Sequence, residues 1–235
     1  MAIDAGEAVI REFADADAEP AVRGFLHTPA EPNGHALVLT HGAGANCQSP
    51  LLRKLADVFA GDGFLVLRCD LPFRQKRPHG PPFPATAAQD RAGLQRAVSV
   101  LREKAAGQVF LGGHSYGGRQ ASMLLAENPG LAAGILLLSY PLHPPRKPQQ
   151  LRTRHLPQLK TPALFVHGER DPFGSIAEMQ SALQLVPARS KLLAVERAGH
   201  DLLRASSSHA ASSTEDPSKD LPGRICKAFR DFFAV

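Results

Sequence analysis

The chain has 235 residues, 43% of them apolar and 21% charged, which is enough to bury a large core and is the balance of a globular fold. No apolar run approaches the roughly 18 residues of a membrane span, and a formal charge of +5 comes in short clusters on a chain with no Trp and two Tyr, which excludes the basic, stacking-rich surface of a nucleic-acid binder. Cys47, Cys69 and Cys226 are odd in number and far apart, which excludes a disulfide framework and a CxxC zinc site, so neither a metal nor a cofactor is expected.

The first residues are mixed and acidic, without a basic stretch followed by an apolar one, so no secretory signal is expected and a cytoplasmic setting is. Residues 7–13 and 22–27 read as a pair of short strands, and 36–40 as a compact apolar strand ending in His41-Gly42-Ala43-Gly44. Residues 51–60 carry Leu51, Leu52, Leu55, Val58 and Phe59 at helical spacing, and 64–67 form the next strand. A proline-rich basic loop spans 72–84, followed by a long helix over 85–105. Residues 109–112 are a strand, and 119–127 the helix behind it. A very apolar strand at 135–138 leads into a loop of some twenty residues ending at Pro162, too short for a lid domain. Residues 163–166 and 191–195 are strands separated by a helix at 176–185, 205–219 is a Ser-rich surface excursion expected to be mobile, and 221–233 is a closing amphipathic helix. Short strands rich in Val, Ile and Leu, separated by helices, predict an α/β fold in one domain: a mostly parallel sheet with helices on both faces.

Chemistry concentrates where strands end. Val109-Phe110-Leu111-Gly112 runs straight into Gly113-His114-Ser115-Tyr116-Gly117 and then a helix, the sequence form of a nucleophile elbow. Asp171 lies just past one later strand and His200 just past the last, so Ser, acid and His occur in the order of an acyl-transfer triad. A serine hydroxyl needs an adjacent base to attack at neutral pH. His200 supplies one that titrates near working pH, and Asp171 holds its tautomer. The backbone N–H groups of Tyr116, the residue after the nucleophile, and of Ala43 are the natural oxyanion donors. Glu169 is a local rival to Asp171 and His143 a rival base, while His41, His114 and His167 read as structural and Cys47 as a buried small hydrophobe.

These segments resemble the α/β-hydrolase superfamily from about Ala36 to Val235. The run Ser139-Tyr140-Pro141-Leu142-His143-Pro144-Pro145 narrows the likeness to a small lidless branch. That branch includes testis-expressed-protein-like and nonspecific-lethal-complex-subunit-like hydrolases and is related to dienelactone hydrolases. The resemblance implies a Ser115–Asp171–His200 triad with Ala43 and Tyr116 as donors and says little about substrate; with no lid to supply a deep apolar pocket, a small-molecule ester with a short acyl group is the expected substrate. The basic clusters Arg74-Gln75-Lys76-Arg77 and Arg146-Lys147, with Arg152 and Arg154, follow strand ends and are expected to border the site, either as solvated loops that keep the protein soluble or as a rim that attracts an anionic substrate. Arg74, Arg77, Tyr140, His143 and Arg146 are the expected substrate contacts. A thioesterase or peptidase would use the same groups, and a non-catalytic interaction module could keep the fold.

Overall fold

A computed structural model describes residues 7–17, 19–202 and 220–235; the excursion expected at 205–219 lies outside the described residues. Eight strands form one sheet: β1 (Val9–Asp15), β2 (Val22–Thr28), β3 (Ala36–Thr40), β4 (Leu65–Cys69), β5 (Val109–His114), β6 (Ile135–Leu138), β7 (Ala163–Gly168) and β8 (Ser190–Val195). Their order is β1-β2-β4-β3-β5-β6-β7-β8. Strand β2 is antiparallel to both β1 and β4, and β4-β3-β5-β6-β7-β8 run parallel. The central strands are buried on both faces, which is why they read as continuous apolar runs.

The two-residue period of a strand divides those runs between two cores. Val38, Leu111, Leu137 and Phe165 face one side; there they meet α3 (Ala87–Arg102), α4 (Tyr116–Glu127) and α5 (Ile176–Leu183) through Leu94, Leu124 and Met179. Leu39, Phe110, Leu136 and Leu164 face the other, against α1 (Pro50–Gly61) and α6 (Leu221–Phe233) through Leu55, Phe59, Ile225 and Phe229. Each helix starts where local chemistry allows. Proline opens α1, where its missing N–H costs nothing. Ser175 and Glu178 close a reciprocal cap on α5, and Asp220 accepts from Gly223 N–H at the start of α6.

The loop expected at 72–84 contains one helical turn, α2 (Pro72–Lys76), and Phe64 precedes β4 instead of starting it. The segment between β6 and β7 carries a single short 3₁₀ turn at Leu156–Gln158 and no lid. No described helix is long and apolar enough to cross a membrane, and no group of three or more potential metal ligands occurs among the described residues.

Candidate active site

The site begins with backbone geometry. Strand β5 ends at His114 and α4 starts at Tyr116, leaving Ser115 to make the whole reversal with φ 50° and ψ −115°. A side chain at positive φ is strained, and neighbouring contacts hold it there: Ser115 N–H donates to Leu138 O at 2.8 Å. The turn closes because its flanks have no side chains. A Cβ on Gly113 would sit 2.5 Å from Gly118 N, and one on Gly117 2.5 Å from His41 O.

Three strand tips then meet. Ser115 Oγ lies 2.8 Å from His200 Nε2, and His200 Nδ1 lies 2.8 Å from Asp171 Oδ2. With Nδ1–H donating to the carboxylate, Nε2 is the acceptor facing the serine hydroxyl. The Asp171 side chain is fully buried, and its Oδ1 accepts from Phe173 N–H at 2.9 Å. Phe173 also stacks on the His200 ring, centroids 4.2 Å apart, which fixes the imidazole plane. Glu169 is turned away: it is exposed and accepts from Arg197 N–H. Histidines His114 and His167 brace the loops, donating from Nε2 to His200 O and Gly174 O. Burial pushes both imidazoles below their ordinary range, so they are neutral supports.

Tyr116 is the first residue of α4, so its N–H has no acceptor one turn back. Its hydroxyl is tied to the Asp90 carboxylate at 2.7 Å, and the other Asp90 oxygen accepts from Phe73 N–H. Burial raises the Asp90 carboxyl and the Tyr116 phenol alike. Ala43 N–H has no backbone acceptor among the described residues. Its loop is held by His41, whose Nε2 accepts from Leu71 N–H and whose Nδ1 donates to Gly42 O.

A cleft of about 670 Å³ opens over this centre, lined by Ala43, Ser115, Tyr116, Phe173, Pro141 and, from the proline-rich strap that follows α2 (residues 81–85), Phe83 among others. None of the five expected substrate contacts is part of its lining. Arg74 is buried, its guanidinium donating to Ala43 O, Ala45 O, Arg77 O and Gly80 O. It is a buckle for the loop carrying Ala43. Tyr140 is 1% exposed and donates to Arg152 O beneath the surface. His143 is buried, with Nδ1 on Pro144 O and Nε2 3.5 Å from Glu178. Arg77 stacks over Phe83 at 4.1 Å and donates to Pro81 O, bracing the strap. Arg146 is exposed on its own loop, outside the cleft lining. The cationic groups that do reach the cleft are Arg152, from the second expected cluster, and Arg91 and Arg119, which sequence reasoning missed. Arg119 was legible in principle, since it follows Ser115 by one helical turn.

The pattern that defines the alpha/beta hydrolase domain family matches residues 33–220. Solved structures of similar fold include a dienelactone hydrolase from Anabaena variabilis, 20% identical over 97% of this chain and 98% of that one, TM-score 0.72. An α/β serine hydrolase without a lid from Xanthomonas campestris is 13% identical over 97% and 96%, TM-score 0.67. A serine hydrolase homologue from Coxiella burnetii is 12% identical over 82% and 89%, TM-score 0.66. At such identities the likeness is one of fold, whereas the family match spans β3 to the last turn before α6 and takes in the elbow, the Asp171 loop and the His200 loop. The chain belongs to the alpha/beta hydrolase family.

Proposed function

We propose that this hydrolase-family chain cleaves small carboxylic esters through an acyl-enzyme, with Ser115 as nucleophile, His200 as general base and acid, and Asp171 as the orienting carboxylate. One observation carries the reading: the continuous Ser115–His200–Asp171 hydrogen-bond relay, 2.8 Å at each link. As Ser115 Oγ bonds to the ester carbonyl carbon, His200 Nε2 takes its proton and Asp171 stabilises the imidazolium. The oxyanion of the tetrahedral species is met by the N–H groups of Ala43 and Tyr116. Collapse breaks the bond to the alcohol oxygen, which leaves with the proton from Nε2. Water then repeats the sequence on the acyl-Ser115 ester, giving the acid and restoring the serine.

The lidless cleft favours short acyl groups over long chains, which need a deep apolar channel. Free, buried Cys47, Cys69 and Cys226 support a reducing, cytoplasmic setting.

An alkyl fluorophosphonate should label wild-type protein at Ser115. Ser115→Ala should abolish the labelling and lower ester turnover on the order of 10⁶-fold. Labelling that persists in the variant, or never occurs in the wild type, would instead favour an interaction module built on the same fold.

A further inference from the structure

We propose that the cleft wall beside Ser115 is an anion-binding subsite, so that the preferred ester carries a carboxylate a short linker away from the reacting carbonyl. The proposal rests on the ester-hydrolase reading above and adds the substrate class. Three arginines line it from three separate segments: Arg91 from α3, Arg119 from α4 and Arg152 from the loop after β6. They share the cleft with Ser115 and Tyr116.

Their charge is poorly compensated. Arg91 Nε is 3.4 Å from the exposed Glu127 carboxylate, and its Nη1 donates to Gln120 Oε1 at 3.1 Å. Among the described residues the Arg152 guanidinium donates to the neutral Pro141 O alone, at 3.3 Å. Among the described residues Arg119 Nε is buried without an acceptor, and the only side-chain hydrogen-bond partner of its guanidinium is the neutral Tyr140 hydroxyl. Among the described residues no carboxylate lies within ion-pair distance of Arg119 or Arg152. The carboxylates closest to the chemistry are already engaged, Asp90 with Tyr116 and Asp171 with His200. The cationic field is felt by neighbours: burial and then Arg119 push His155 down to about 4, and burial and then Arg119 lower Arg152 itself.

Desolvated guanidinium groups in native proteins are paired, and a fork of parallel N–H donors matches a planar carboxylate. A ligand carboxylate supplies charge-matched acceptors for the Arg119 and Arg152 guanidinium groups and offsets the repulsion between them. Arg119 stands one turn along α4 from the nucleophile, roughly 6 Å of helix rise. That suits a linker of a few carbons, and Met123 and Phe173 give it an apolar wall.

The test compares monomethyl glutarate with dimethyl glutarate, which differ by one charge and one methyl group. In wild type, kcat/KM should favour the monoanion by about tenfold or more, and Arg119→Met and Arg152→Met should each reduce that ratio by about tenfold. A wild-type ratio near one, or a ratio unmoved in both variants, overturns the proposal. Two separate variants with matched melting curves guard against a single misfolded protein. Titration calorimetry of glutarate into Ser115→Ala separates the subsite from the chemistry. Glutarate binding that Arg119→Met removes, together with wild-type protein that cleaves neither ester, upholds the subsite and sinks the hydrolase reading. Dimethyl ester cleavage without glutarate binding does the reverse, and inorganic phosphate binding tighter than glutarate overturns the carboxylate assignment.

Discussion

The guanidinium of Arg74 reaches four backbone carbonyls in two loops, Ala43 and Ala45 before α1 and Arg77 and Gly80 beyond α2. It therefore ties the loop that presents Ala43 N–H to the strap that walls the cleft. Arg74→Met should lower kcat by roughly 10- to 100-fold, short of the 10²–10³ for complete loss of an oxyanion donor, with KM changed much less. Lysine should recover little, since one ammonium cannot replace a five-donor fork. An unchanged kcat would show that the loop holds itself. Arg74 also marks where a sequence stops being readable. Its position after β4 places it near the rim, but only packing tells whether its side chain turns outward to solvent or inward to carbonyls. The same holds for Tyr140 and His143, whose loop was foreseen and whose burial was not. The meeting of Ser115, Asp171 and His200 was readable because each follows the C-terminal end of a parallel strand, and those ends lie along one edge of the sheet.

At the level of elements, the parallel core was legible because β3, β5, β6 and β7 are apolar on both faces and bounded by glycine or polar turns. Helix α2 was not, since five residues between prolines are too few to show a period. Helix α6 owes its docking to Phe229, fully buried and in ring contact with Phe59, Phe64, Phe110 and Phe233 at 4.5–5.8 Å. Phe229→Ala removes the hub of that cluster and should cost about 3–5 kcal/mol. For a chain of this size that is a melting midpoint lower by roughly 6–20 °C, readable by calorimetry. A drop of only about a degree would mean that α6 adds little to the core.

Across the whole molecule, burial keeps a set of histidines neutral. His27 is pushed down to about 4 by burial and then by Arg68, whose Nε donates to its Nε2. His41, His114, His155 and His167 are shifted in the same direction, burial being the largest cause for each. The unfolded chain binds protons below pH about 6.5 that the folded chain refuses. Stability is thus complete above that value and erodes as pH falls toward 4, by up to roughly 3 kcal/mol for the fully buried His27 alone. Melting midpoints measured from pH 7 to 4 should fall steadily, and His27→Gln, which keeps an acceptor for Arg68, should flatten part of the slope. A midpoint constant over that range would contradict the neutral assignment.

The hydrogen bond between Ser115 and His200 joins residues 85 apart in the chain, and Asp171 is 29 before its histidine. During synthesis the elbow emerges from the ribosome long before β8 and the loop beyond it. Until that last strand docks beside β7, Ser115 lacks the hydrogen bond to His200 and is an ordinary alcohol. On the proposed mechanism the nascent chain cannot form an acyl-serine, and chemical competence arrives together with the completed sheet.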